Sequence, residues 1–346
     1  MKGFVFQPRL TRIGRAVLGG FAGAGLSYGV ALAQANVEPP SVYQAVDPFG
    51  VNLTNGQLQI SSPTISVGDP AAGGLNFTAT WDAAVRTWRY SNWGEVSEES
   101  AKPDPDCLAF YTVVYMGGSN VFQRDGCGSP NFDLIDGYGT LVATTGGYTY
   151  TARDGAVATY VGSGRHAPIA TITKRSGEVI TYTNSVNGLA SVSNNYGYQL
   201  HFEYSGGEIS KVTALNNAVD ACALTATSCS YSQTWPSLTF STSGVERHVT
   251  DALNRTTRFI FDSTNPVTAK LVGMARPSQT VGSSVTYGYS FARSWGTVVT
   301  SASDGAGTRT YAYESYCAPT GPCEQPDGAY DLDVTVTDAN SNATTY

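Results

Sequence analysis

The chain has 346 residues, of which only 14% are charged, with 38 Gly, 21 Tyr and a formal net charge of −7. Globular proteins usually carry about 25% charged residues, so this composition points to many short strands joined by tight turns and away from a helical enzyme. The acidic balance, without a basic cluster, argues against nucleic acid as a partner, because phosphate contacts need concentrated Lys and Arg.

Residues 1–35 carry Lys2, Arg9, Arg12 and Arg15 and no acidic residue, and an apolar run from Ala16 to Leu32 precedes Ala33-Gln34-Ala35. A basic start, a short apolar core and an A-x-A box predict a secretory signal peptide. The apolar run is Gly-rich and barely long enough to cross a bilayer, which makes a membrane anchor the weaker reading. Removing these 35 residues and their four cations leaves 311 residues at a charge of −11. No later segment is apolar enough to span a membrane. The mature chain is therefore expected to be exported and soluble, in the periplasm, at the cell surface or outside the cell.

Residues 36–46, with Pro39-Pro40, read as a polar tether, and residues 47–145 as an opening β segment. Within it, Asn55-Gly56 signals a tight turn, since both turn positions favour positive φ. Leu75, Phe77, Ala79 and Trp81 alternate with Asn76, Thr78 and Thr80, the period of a half-buried strand. Ser97 to Asp106 reads as an acidic loop, and the apolar run Leu108 to Met116 as a buried strand. From Gly146 the rhythm becomes regular. Asp154-Gly155, Ser176-Gly177 and Gly206-Gly207 each divide two β-patterned runs, as successive hairpins require. Val212 to Thr225, rich in Ala and Leu, is the one helix-like stretch and reads as a decorated loop with a helical turn.

Six cysteines fall into neighbouring pairs: Cys107 with Cys127, Cys222 with Cys229, and Cys317 with Cys323. Six cysteines allow about fifteen connectivities, but short loops bring their ends together most often, which favours the local pairs. Stapled loops between strands are the expectation. Zinc is the poorer alternative, because there is no C-x-x-C and only three histidines.

Residues 249–259 read Val-Thr-Asp-Ala-Leu-Asn-Arg-Thr-Thr-Arg-Phe, and residues 336–346 repeat them at five of eleven positions, with Tyr346 in place of Phe259. A looser copy runs from Val299 through Asp304 and Gly307 to Tyr311 and Tyr313. Each unit reads as a β-branched strand, an Asp/Asn/Gly turn and a returning Thr/aromatic strand. Asp251, as a turn residue, should accept local backbone N–H bonds. Arg255 is expected to pair across strands, and Phe259, Tyr311, Tyr313 and Tyr346 to supply cross-strand aromatic contacts.

These units resemble the tyrosine-aspartate (YD) repeats of RHS-repeat proteins. Asp251, Asn254, Arg255 and Phe259 lie where that pattern places them, as do Asp304, Gly307 and Tyr311 in the looser copy and Asp338 and Tyr346 in the last. The resemblance implies an all-β chain of antiparallel hairpin repeats over residues 146–346, forming an extended, curled sheet that is part of an RHS-type shell. It further implies a chain truncated at its C-terminus, whose partners are more repeat wall or an enclosed cargo such as a toxin.

No G-x-S-x-G, H-E-x-x-H, Walker or G-x-G-x-x-G arrangement occurs. Of the histidines, His201 and His248 read as structural or exposed strand residues and His166 as a loop residue. Glycosidase chemistry needs two carboxylates. Glu98, Glu99, Asp104 and Asp106 fall in the acidic loop, and Asp331 and Asp333 share a strand face. No catalytic residue, cofactor or metal is assigned, and the chain is expected not to be an enzyme. The leading expectation is a structural module contributing wall to a shell. The alternative is an extracellular carbohydrate- or protein-binding β module, in which Trp81, Trp88, Trp93, Trp235 and Trp295 would stack on a surface glycan. A contiguous exposed aromatic row would favour binding; buried aromatics would favour wall.

Overall fold

The computed structural model describes residues 46–83, 86–99, 109–124, 131–162, 165–265, 268–292, 296–315 and 332–346. The leader, nearly all of the tether, Cys107, Cys127, Cys317, Cys323, Trp295, Asp104, Asp106 and Asp331 lie outside them. The described residues all belong to one compact unit, Tyr43–Tyr346.

The opening segment contains β1 (Gln59–Ser61), β2 (Ile65–Val67), β3 (Leu75–Phe77), β4 (Ala79–Asp82) and β5 (Thr87–Tyr90). A first meander follows: β6 (Glu95–Glu99), β7 (Phe110–Tyr115), β8 (Gly118–Arg124) and β9 (Phe132–Asp136). A longer one begins with β10 (Thr140–Thr144), β11 (Gly147–Thr151), β12 (Val157–Val161), β13 (His166–Thr173), β14 (Val179–Ser185) and β15 (Gly188–Asn194). It continues through β16 (Tyr198–Ser205), β17 (Glu208–Asn216), β18 (Ser237–Ser243), β19 (Glu246–Thr250), β20 (Thr256–Phe261) and β21 (Leu271–Ala275). It ends with β22 (Val285–Ala292), β23 (Gly296–Asp304), β24 (Gly307–Ser315), β25 (Leu332–Thr337) and β26 (Ala343–Thr345).

From β10 to β26 every strand pairs antiparallel with its neighbours in sequence, and β6 joins this meander by pairing with β13, giving one sheet of 21 strands. The sheet is extended and does not close. Among the described residues the only helical piece is a 3-10 turn, Pro70–Ala72, capped by Asp69. No helix there is long and apolar enough to cross a membrane.

Period-2 alternation gives the sheet one apolar face. Ile172, Val192, Leu200, Phe202, Val212 and Phe259 are all buried on it. The opening segment lies across this face in the direction opposite to strand addition. Its first residues meet the last strands: Tyr287 donates its hydroxyl proton to the Phe49 carbonyl (3.0 Å), and the Val299 N–H donates to the Gly56 carbonyl (2.9 Å). Further along, Trp81 packs edge-on to Phe261 and Trp88 to Phe259, at 4.8 and 5.0 Å between ring centroids. Phe77 packs on Phe202 and Phe240, and the Asn194 side-chain amide donates to the Gly73 carbonyl. The 75–81 alternation appears directly in burial, although the run breaks at Thr78: β3 pairs with β2, whereas β4 pairs with β1 and β5.

Several expectations are corrected. Val212 to Asn216 belongs to β17, and residues 217–225 form turns without helix. Long-range pairing with β16 and β18 outweighs the weak helix preference of Ala and Leu. Ser97, Glu98 and Glu99 are not loop but the end of β6, paired with β7. His166 opens β13 opposite Ser97. Leu108 lies outside the described residues, and residues 109–116 are not buried throughout: Ala109, Tyr111, Val113 and Val114 are buried, whereas Phe110 is 40% and Met116 57% exposed. His201 is fully buried, and half-buried His248 lies 2.9 Å from Glu246, which also holds Arg258.

Candidate functional site

The repeat positions build a turn. Asp251 Oδ1 accepts the N–H groups of Leu253 and Arg255, and Asn254, at φ +58°, donates its N–H to the Asp251 carbonyl. Asp338 does the same with Asn340 and Asn342, and Ser341 takes the left-handed position at φ +66°. The pattern also occurs where no repeat was read. Asp47 Oδ1 accepts from Phe49 and Val51 with Gly50 at +83°, and Asn194 Oδ1 accepts from Tyr196 and Tyr198 with Gly197 at +87°. The signal in the sequence is Asp or Asn, two residues of any kind, then Gly, Asn or Ser: a side chain that accepts at once two and four residues on, followed by one that tolerates positive φ. The looser copy is a different turn, since Asp304 pairs directly with Gly307 across a two-residue loop and its carboxylate accepts from Ala306.

Three further roles differ from expectation. Arg255 does not pair across strands; its guanidinium returns to Asp251 within the turn, at 2.7 Å. Phe259 stands opposite Arg247 and Met274, so its aromatic partner is Trp88 of the opening segment. Tyr311 donates its hydroxyl proton to Asp47 at 2.6 Å, and Tyr313 to the Val299 carbonyl at 2.6 Å. Tyr346 is 42% exposed, and its backbone pairs with Val334.

Two predictions arise from these turns. A non-Gly residue in the left-handed region costs about 1–2 kcal/mol and a glycine adds about 0.4–1 kcal/mol of unfolded-chain freedom, so Ser341→Gly should raise the unfolding free energy by about 0.5–1 kcal/mol. Urea denaturation measures it, and an unshifted midpoint would show that Ser341 is unstrained. The second concerns acid. Burial pushes the Asp251 carboxyl up, but hydrogen bonds from the Arg255 guanidinium and from the N–H groups of Arg255 and Leu253 outweigh it and hold the pKa below the usual value. A depressed folded pKa means that the contribution is complete above the unfolded value, about 3.9, and is lost as pH falls through the folded value. Asp251→Asn keeps the Oδ1 acceptor and loses the ion pair. Its stability deficit should be present at neutral pH and vanish in acid; a deficit that persists unchanged in acid would rule out the carboxylate as its source.

A cleft of about 950 Å³ lies where the β4–β5 hairpin meets the tips of the β16–β17 and β18–β19 hairpins. Trp81, Trp88, Tyr90, Tyr204, Phe240 and Phe261 line it. At the β17 and β19 side, Arg247 holds Glu208 in a two-pronged ion pair of 2.7 and 3.0 Å. A smaller groove of about 370 Å³ lies beside it against Trp88, Tyr90 and Trp93.

Burial, with a contribution from the Tyr90 phenol, raises the Tyr204 phenol to about 12, partly offset by its bond to the Leu189 carbonyl. Burial and Glu208 raise Tyr90, partly offset by Arg247. Both phenols are therefore protonated at neutral pH and serve as hydrogen-bonding groups rather than bases. Glu208 is the one carboxylate among the residues lining the larger cleft, and its oxygens are occupied by Arg247. The cleft offers aromatic faces, hydroxyls and a closed ion pair, and Glu208 is the single carboxylate among its described lining residues, where glycoside hydrolysis uses two.

The described tryptophans do not form one exposed row. Trp81 is 4% exposed and belongs to the core, Trp88 is half-buried, and Trp93 is 37% exposed. Trp235 donates its indole N–H to Asp220 at 2.7 Å, inside the segment between β17 and β18. That segment also holds the Cys222–Cys229 disulfide, one of the three local pairs expected from the spacing.

No protein-family model matches the chain, and no curated protein matches it by sequence. Among solved structures, a porin-like protein from Bacteroides uniformis aligns over 73% of this chain and 97% of its own, at 11% identity and a TM-score of 0.25. At that score the alignment carries no argument about fold or role.

Proposed function

We propose that the chain is an exported, non-catalytic structural module of the RHS-repeat kind, whose hairpins supply wall to a larger β shell around a cargo. The observation that carries this reading is the uninterrupted meander from β10 to β26, in which each hairpin simply adds to the last. The matching turns at Asp251 and Asp338 support it, and the Cys222–Cys229 disulfide fits an oxidising compartment. An antiparallel wall of this kind grows by adding strands, and its last edge needs covering or continuation. Reading the gene beyond codon 346 and imaging its complete product by electron microscopy tests the proposal. Further hairpin repeats and a hollow particle are expected. A complete product that is a compact monomer without further wall would sink it.

A second reading, a glycan-binding module, is favoured by the adjacent Trp88, Tyr90 and Trp93 on and just after β5, which line the smaller groove. Indole faces stack on the apolar faces of sugars while neighbouring hydroxyls and guanidinium groups take the polar edges. Retention on an oligosaccharide panel that is lost in Trp88→Ala and Trp93→Ala would support this reading. Equal retention of wild type and variants would remove it.

A further inference from the structure

The face of the sheet turned away from the opening segment holds a buried polar group that the wall does not require. Leu200 and Phe202 point to the apolar face, so Gln199 and His201, alternating with them, point the other way. Ser191, His201 and Thr213 stand side by side in register on β15, β16 and β17, all buried. The segment between β17 and β18 covers them. Gln199 Nε2 donates to the Cys222 carbonyl (3.0 Å), the Cys222 N–H donates to Gln199 Oε1 (3.4 Å), and Ser191 Oγ donates to the Leu224 carbonyl (2.9 Å).

Beneath this cover His201 is 0% exposed; its ring approaches the Ala190 backbone, but neither ring nitrogen makes a hydrogen bond of good geometry. Buried polar groups are nearly always paired, so an orphaned imidazole calls for a ligand, an ion or a reactive role. The side chains nearest to it supply one. A nitrogen of His201 and the Sγ atoms of Cys222 and Cys229 all lie within 4.8 Å of one another. The hydroxyl of Thr213, opposite His201, is also buried, with the Tyr231 hydroxyl beside it.

We propose that His201, Cys222 and Cys229 form a thiolate–imidazole site for zinc(II), masked by the disulfide in the oxidised protein and opened when that bond is reduced. Two thiolates and one imidazole are the donors that borderline-soft cations select over calcium or magnesium. The two cysteine Cα atoms are 5.9 Å apart, a span that two Zn–S bonds of about 2.3 Å and their Cβ–S bonds can bridge. Three protein ligands would leave a fourth position for water. The steps balance. A dithiol reductant gives two electrons to the S–S bond and becomes a disulfide, and its two protons pass to the cysteines as thiols. Zinc then displaces those two protons to solvent, and the neutral imidazole coordinates with no change in protonation.

The test uses the full exported chain, oxidised or reduced with dithiothreitol that is then removed under argon. Zinc retained after desalting is counted by atomic emission, and cobalt(II) replaces zinc to reveal thiolate-to-metal charge transfer in the near ultraviolet. The reduced protein should hold a zinc equivalent that the oxidised protein lacks. That equivalent should disappear in the Cys222→Ser, Cys229→Ser double variant and survive when Cys107, Cys127, Cys317 and Cys323 are all replaced by serine. Because loss of the disulfide can itself unfold the cover, His201→Gln, which retains both cysteines, provides the independent measure, with affinity expected to fall about tenfold or more. The proposal is overturned if reduction adds no zinc, if the added zinc survives in the double variant, or if His201→Gln binds as tightly as wild type.

Discussion

Replacing Asp47 with alanine is expected to lower the unfolding free energy by about 3 kcal/mol, the lower end of the cost of breaking a buried ion pair. The Asp47 side chain is only 5% exposed, and its two oxygens serve different purposes. Oδ1 accepts the N–H groups of Phe49 and Val51 and so makes the first turn of the opening segment. Oδ2 accepts from the Arg309 guanidinium (2.9 Å) and the Tyr311 hydroxyl (2.6 Å) of β24, more than 260 residues later. The lower end applies because the Arg309 side chain is 27% exposed and recovers some hydration when its partner is removed. Asp47→Asn keeps the turn acceptor and should cost less than alanine. Tyr311→Phe, which removes a single bond, should cost about 1–1.5 kcal/mol. Adding Arg309→Met to Asp47→Ala should recover part of the loss, because an unpaired cation is no longer left at the site. Urea midpoints of the variants decide it. Equal costs for Asp47→Ala and Tyr311→Phe would show that the carboxylate does no more than accept one hydroxyl.

Local features were legible in the sequence because their causes are local. The alternation from Leu75 to Trp81 marks which side chains are buried, since period 2 is a property of the extended backbone itself. The turn at Asp251 follows from a side chain that reaches backbone N–H groups two and four residues on. The Cys222–Cys229 pair follows from a separation of seven residues. Long-range facts were not legible. That the opening segment runs back across the sheet, bringing Phe49 to Tyr287 and Trp81 to Phe261, depends on packing between strands hundreds of residues apart. The same cause explains the errors. Val212 to Asn216 has Ala and Leu that suit a helix, but β16 supplies a complete ladder of partners. His201 looks like an ordinary strand residue, and only the folding of the Cys222 segment over it makes it buried and unpaired. A reach of Arg255 across strands is the sequence expectation, yet its guanidinium pairs with Asp251 four residues earlier.

The reversed course of the opening segment gives the sheet something that successive hairpins lack. Hairpins hold each strand only to its two neighbours, so a long meander is free to flex along its length. Here Asp47 touches β24, Gly56 touches β23, Trp81 and Trp88 both touch β20, Phe77 touches β18 and β16, and Gly73 touches β15. One covalent chain thereby ties together strands from both halves of the meander. A wall module of the kind proposed needs this bracing whether or not its aromatic cleft also binds a sugar.

The variant that tests the bracing most directly is Phe77→Ala, expected to cost about 3–5 kcal/mol, as for removal of a fully buried phenylalanine. Phe77 is 0% exposed and contacts rings on three elements: Tyr90 of β5 at 5.6 Å, Phe202 of β16 at 5.4 Å and Phe240 of β18 at 6.2 Å between centroids. Its removal opens a cavity between the opening segment and the sheet, and the rings on either side sit on different strands that cannot close together without shifting the ladder. Trp93→Ala is the matched control, because Trp93 is 37% exposed and surface substitutions usually change stability by no more than about 0.5 kcal/mol. Urea midpoints give the two costs, and near-ultraviolet circular dichroism reports whether the aromatic packing survives. If the opening segment braces the wall, Phe77→Ala should lose stability and aromatic signal together, and the loss should extend to strands on both sides of β16 in hydrogen exchange. If exchange rises only in β2–β5 while β16 and β18 stay protected, the segment rests on a sheet that stands without it.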